Sequence, residues 1–147
     1  MQPAAVFETI SQRNDPEPRI DLHRKDTEAK ITLAAASLIA QYILSSGDIV
    51  LVLDEDSPYE EQLHLVLVRD TTILDHLVIG APFASGIYRE TELGDDVLAF
   101  GFSGDSDYVL GVREGWFFRR SLLPAGVRRQ GLWSSPQQLT LSVRQPS

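Results

Sequence analysis

Hydrophobic and polar positions follow two different periods along the chain, and the change falls near Gly47. Between residues 27 and 46 the polar side chains Lys30, Ser37, Gln41 and Ser45 fall at i, i+7, i+11 and i+15, a narrow stripe that includes Ala34. Ile31, Leu33, Ala35, Leu38, Ile39, Tyr42 and Ile43 fill the rest of a helical circumference. That pattern predicts a helix with an unusually wide apolar face, buried against a curved sheet or under the N-terminal arm. Asp26 or Thr27 suits its N-cap, Asp26 and Glu28 complement the positive end of its dipole, and Gly47 suits a left-handed residue after its end.

From Asp48 onward the period is two. Ile49–Leu53 is continuously apolar, as expected of a strand covered on both faces. Further strands are predicted over 62–69, 72–79, 86–93, 97–102, 108–113, 116–123 and 137–144, separated by Gly, Asp, Ser and Pro clusters. Short links force antiparallel neighbours, because a parallel crossover needs about a dozen residues or more. The expected fold is α+β: one N-terminal helix packed with an antiparallel meander of about eight strands, either a small barrel or a strongly bent sheet. Residues 1–26, broken by Asn14-Asp15-Pro16-Glu17-Pro18, read as an arm, and residues 27–147 as a single domain.

Composition narrows the class. The 147 residues contain no cysteine, which removes disulfides, thiol nucleophiles and cysteine-ligated metals. No basic n-region precedes an apolar stretch at the start, and the longest apolar run, Ile31 to Leu44, is interrupted by Thr32, Ser37 and Gln41. It is too short and too polar to span a bilayer, so a cytoplasmic protein without membrane contact is expected. The net charge of −8 conceals an asymmetry. Residues 1–112 hold 7 basic against 20 acidic side chains, a balance of −13, whereas residues 113–147 hold six arginines against Glu114, a balance of +5. The acidic majority repels phosphates, which argues against a nucleic-acid partner and for a protein partner with a basic surface.

Candidate chemistry is sparse. Asp54-Glu55-Asp56 and Asp105-Ser106-Asp107 lack the calcium-loop pattern, the three histidines lack metal-ligand spacing, and no phosphate loop is present, so neither metal nor cofactor is expected. His64 lies in an apolar strand. If Asp70-Thr71 is a two-residue link, His64 and Asp75 become diagonal neighbours on one face, a possible acid/base pair. A one-residue slip would place His64 beside His76 instead. Trp116-Phe117-Phe118-Arg119-Arg120 puts Trp116, Phe118 and Arg120 on one face. With Tyr88 and a closing Trp133 they could line a cavity for an apolar or weakly acidic small molecule.

No stretch carries a family-defining motif. The sequence therefore favours a non-enzymatic acidic accessory domain, inhibitor-like, immunity-like or chaperone-like, that recognises its partner by electrostatic complementarity. A ligand-binding barrel and a small isomerase or lyase using His64 with Asp75 are the alternatives.

Overall fold

The computed structural model describes residues 1–13, 17–56, 60–82, 86–102, 106–113, 123–130 and 137–145. Thirteen strands follow one another: β1 (Gln2–Pro3), β2 (Phe7–Arg13), β3 (Arg19–Arg24), β4 (Lys30–Leu33), β5 (Ser37–Ile43), β6 (Ile49–Asp56), β7 (Glu60–Arg69), β8 (Thr72–Pro82), β9 (Arg89–Gly94), β10 (Val97–Gly101), β11 (Asp107–Val112), β12 (Val127–Arg129) and β13 (Leu139–Arg144). They form three antiparallel sheets, ordered β1-β5-β6-β7-β8-β12, β13-β11-β10-β9 and β2-β3-β4. Among the described residues there is no helix, and so none long and apolar enough to cross a membrane.

The six-stranded sheet is the middle layer, because both of its faces carry a core. One face, with Val50, Val52, Leu63, Leu65, Leu67 and Leu77, packs on Leu98, Phe100, Leu110 and Leu139 of the four-stranded sheet. The opposite face, with Ile49, Leu51, Leu53, Val66 and Val68, packs on Phe7, Ile20, Leu22, Ile31 and Leu33 of the three-stranded sheet. The unbroken apolar run of β6 serves both cores in alternation, which is why it lacks polar positions. Full burial of each such side chain stabilises by roughly 1.5–3 kcal/mol relative to exposure.

The all-β architecture corrects the expected α+β fold. Residues 27–46 form β4, a bend and β5 rather than a helix. In β4 and its continuation Ile31, Leu33 and Ala35 are buried, whereas Thr32 and Ala34 are exposed, a period of two. In β5 a bulge leaves Ile39 without a partner between the pairs Leu38↔Leu53 and Ala40↔Val52. Leu38, Gln41 and Ile43 consequently serve one face, and Ala40, Tyr42 and Leu44 the other. The inserted residue produces an i, i+3 recurrence that imitates a helix. The β-branched Ile31, Thr32, Ile39 and Ile43 favour strands, and that preference governs. Gly47 is left-handed (φ 91°), but it closes the β5–β6 hairpin, where its N–H donates to the Leu44 carbonyl.

None of the three sheets closes, so the small barrel is corrected as well. Consecutive strands neighbour one another from β2 to β4, from β5 to β8 and from β9 to β11; β12 returns to β8, and β13 to β11. The exposed edges are blunted. β1 and β12 are short, β2 carries a bulge at Ile10, and β9 presents Arg89, Glu90 and Glu92. The first 26 residues supply β1 to the central sheet and β2–β3 to the three-stranded one.

Side chains fasten the layers where backbone pairing stops. Gln41 Oε1 accepts from Val6 N–H (2.9 Å) and Phe7 N–H (2.8 Å), and its Nε2 donates to the Phe7 carbonyl (2.9 Å). It thus tethers the chain entering β2 to the central sheet. At the opposite seam, Asp75 Oδ2 accepts from Leu139 N–H (2.8 Å) and from Arg129 Nη1, while Arg129 Nη2 donates to the Leu139 carbonyl (3.1 Å). This pair satisfies both backbone groups of Leu139 as a neighbouring strand would.

Candidate functional site

His64 sits in the middle of β7, beside Leu53 on β6 and Val78 on β8, and is only 2% exposed. The β7–β8 hairpin turns through Asp70-Thr71, with Asp70 left-handed (φ 56°), and opens with Arg69↔Thr72 and Val68↔Ile73. A bulge at Leu74 then shifts the register, so that Leu67 faces Asp75, Val66 faces His76 and His64 faces Val78. One inserted residue exchanges the two faces of everything beyond it. The diagonal pairing of His64 with Asp75 is therefore corrected: His76 is the diagonal neighbour. Asp75 points into the other core and is committed to Arg129 and Leu139.

His64 Nδ1 lies 2.7 Å from His76 Nε2, and His64 Nε2 lies 3.1 Å from Glu55 Oε2 on β6. A carboxylate only accepts, so His64 carries its proton on Nε2. Its Nδ1 then accepts from His76 Nε2–H, and the His76 Nδ1 lone pair is left at the end of a directional chain. Burial pushes the His64 pKa below its ordinary value against the pull of Glu55, with Arg128 adding to the depression. Burial, then His64 and Arg128, push His76 down to about 4. Both rings are thus neutral near pH 7. Neutral imidazoles are the state in which each can donate one hydrogen bond and accept another.

Glu55 has a second role. With Asp54, Glu61, Gln62, Gly86 and Phe102 it lines a half-open pocket of about 160 Å³ at the far end of the β6–β7 hairpin. Glu61 Oε2 accepts from Gly86 N–H (2.6 Å), and Asp54 Oδ1 accepts from Ser37 Oγ (2.5 Å). Gly86 is required by contact: a Cβ there would lie 2.5 Å from the Phe102 ring. No ion pair among the described residues joins Asp54, Glu55 or Glu61 to a lysine or arginine. Elsewhere Asp107 and Glu92 meet Arg144 at 3.2 and 3.1 Å, and Asp48 meets Arg69 at 3.0 Å.

Tyr88 is part of a different cluster. Its hydroxyl lies 2.5 Å from that of Tyr42, which also donates to Glu90 (2.7 Å), and its ring is 5.5 Å from Phe100. Burial pushes Tyr88 up to about 12 and raises Tyr42 as well. Trp116, Phe118, Arg120 and Trp133 lie outside the described residues. Among the described residues no group of three or more acidic or histidine side chains is arranged to hold a metal ion.

Sequence reasoning missed Glu55 as the partner of His64, and Arg129 as that of Asp75. The acidic 54–61 turn was legible, but its contact with His64 depends on the strand register. Comparison with protein-family models, curated proteins and solved structures gives no match for the chain.

Proposed function

We propose that the protein is a non-catalytic binding module whose pocket at the β6–β7 hairpin end receives a lysine or arginine side chain from a basic protein partner. The carrying observation is a pocket lined by Asp54 and Glu61 beside Phe102, with no Lys or Arg counterion among the described residues. An aromatic floor suits the aliphatic stem of a long basic side chain, and the carboxylates suit its head. The volume of about 160 Å³ falls below the roughly 300–1,000 Å³ of small-molecule sites, which favours one side chain over a free ligand. The net charge of −8 adds long-range steering toward a basic surface.

Fluorescein-labelled octa-arginine is a suitable probe. Anisotropy at low ionic strength is expected to show saturable binding that weakens as salt is added. The double substitution Asp54→Asn with Glu61→Gln is expected to weaken it about tenfold, whereas Asp95→Asn, away from the pocket, leaves it near the wild-type value. Equal binding by the double variant and the wild type would overturn the assignment.

A further inference from the structure

Strand alternation sets Glu55 and His64 on the face of the central sheet that carries Leu51, Leu53, Val66 and Val68, and the three-stranded sheet covers that face with Phe7, Ile20, Leu22, Ile31 and Leu33. The Glu55–His64–His76 chain crosses β6, β7 and β8 there as two successive diagonals. Among the described residues no ladder joins the two layers. Besides apolar contact they share the Gln41 bonds to Val6 and Phe7 and a bond from Arg24 Nη1 to the Asp70 carbonyl (3.2 Å). We infer that this chain is an acid-sensitive latch beneath the three-stranded sheet: protonation of the histidine pair loosens that layer from the central sheet while the four-stranded sheet stays seated. The latch does not depend on what the acidic pocket binds.

The cover makes the pair sensitive. In the neutral chain the lone pair outside the His64–His76 bond is that of His76 Nδ1, so a first proton enters there and creates a cation in a mostly buried setting. A second would enter between the rings, where two N–H groups would then face each other across 2.7 Å. Lifting the three-stranded sheet admits water, separates the rings and lets each take its proton at the ordinary value near 6.5. Opening and proton uptake therefore favour each other, and the layer loosens as pH falls below that value. The charged groups that reach the pair are Glu55 and Asp54 from β6, which favour uptake in place, and Arg128 from β12, which opposes it. The three-stranded sheet turns apolar side chains to this face and sets Arg19, Asp21, His23 and Lys30 on its outer side. The four-stranded sheet packs on the opposite face, against Val50, Val52, Leu63, Leu65 and Leu67, where none of the three histidines lies.

The test is amide hydrogen exchange by NMR on the full chain between pH 7.5 and 5.0, each rate divided by its intrinsic value at the same pH. Protection at Val6 and Phe7, whose amides bridge the two layers through Gln41, is expected to fall roughly thirtyfold across that range, counting the His76 ring alone, while amides of β10 and β11 keep theirs. In the double variant His64→Gln with His76→Gln, which removes both titrating rings, this fall is expected to vanish. In His23→Gln, on the outer side of the layer, it is expected to remain. An equal fall in both sheets of the wild type, a fall that survives in the double variant, or one that disappears in His23→Gln would overturn the latch. Should the double variant not fold, the wild-type contrast and His23→Gln decide between the same outcomes, because the chain holds no histidine besides these three.

Discussion

At the seam with the three-stranded sheet, one neutral amide, Gln41, holds the backbone of Val6 and Phe7. At the seam with the four-stranded sheet, an ion pair, Asp75 with Arg129, holds the backbone of Leu139. Both solve the same problem: a strand leaving one layer has backbone groups that no ladder satisfies. They differ in what breaking them exposes. Truncating an amide leaves unsatisfied dipoles, whereas truncating Asp75, 3% exposed, takes the anion from a guanidinium packed against it.

The comparison is broken most forcefully at Asp75. Asp75→Ala is expected to destabilise by about 3–5 kcal/mol, since it removes one partner of a buried pair and leaves the N–H groups of Leu139 and His76 without their acceptor. Urea unfolding of the purified variant measures this as a fall in midpoint with little change in slope. A change no larger than that of an exposed ladder residue would mean that the seam is held by its apolar neighbours alone.

The next effect is read by pH. His76 is held neutral in the fold, with a pKa of about 4 against an ordinary 6.5. The unfolded chain therefore takes up a proton first as pH falls, and the stabilisation present above pH 6.5 is lost progressively toward pH 4. The full span corresponds to about 3 kcal/mol. His76→Gln is expected to flatten this part of the stability–pH curve, leaving the carboxylate-driven loss at lower pH. An unchanged slope between pH 6.5 and 4.5 would show that the ring is not desolvated in solution.

These two predictions bear on neighbouring residues of β8, and the sequence could not separate their roles. Most of the strands after Gly47 were legible because alternation at Leu63–Val68, Leu77–Ile79 and Leu98–Phe100 is driven by two apolar cores. The bulges were not legible, since a bulge needs only one extra residue in an otherwise ordinary strand. Leu74 decides whether His64 meets Asp75 or His76, yet nothing in Thr72-Ile73-Leu74-Asp75 marks it as the inserted position. The bulge at Ile39 did more damage: with Ala34, Ala35 and Ala36 it turned strand periodicity into helical spacing. Its isoleucine is 41% exposed, and Ile10, at the β2 bulge, is 46% exposed. An apolar residue off the expected period was the available signal. The acidic hairpin end could be read as charge, but not as a pocket, because Phe102 and Gly86 reach it from later in the chain.

The smallest effect sharpens the comparison at the other seam. Gln41→Ala removes three hydrogen bonds at 2.8–2.9 Å, but every group it abandons is neutral and only partly buried. The expected loss is about 1–2 kcal/mol, from unsatisfied backbone groups at Val6 and Phe7. Gln41→Glu separates the parts of that loss. A carboxylate can still accept from both N–H groups but cannot donate to the Phe7 carbonyl, and it sets a charge facing a carbonyl oxygen. If the seam depends chiefly on the two accepted bonds, Glu at this position is tolerated better than Ala. If it depends on all three, Glu is the worse of the two. Hydrogen exchange at the Val6 and Phe7 amides locates the change: faster exchange confined to those amides, with Leu139 unaffected, is the expected outcome of two fastenings that work independently.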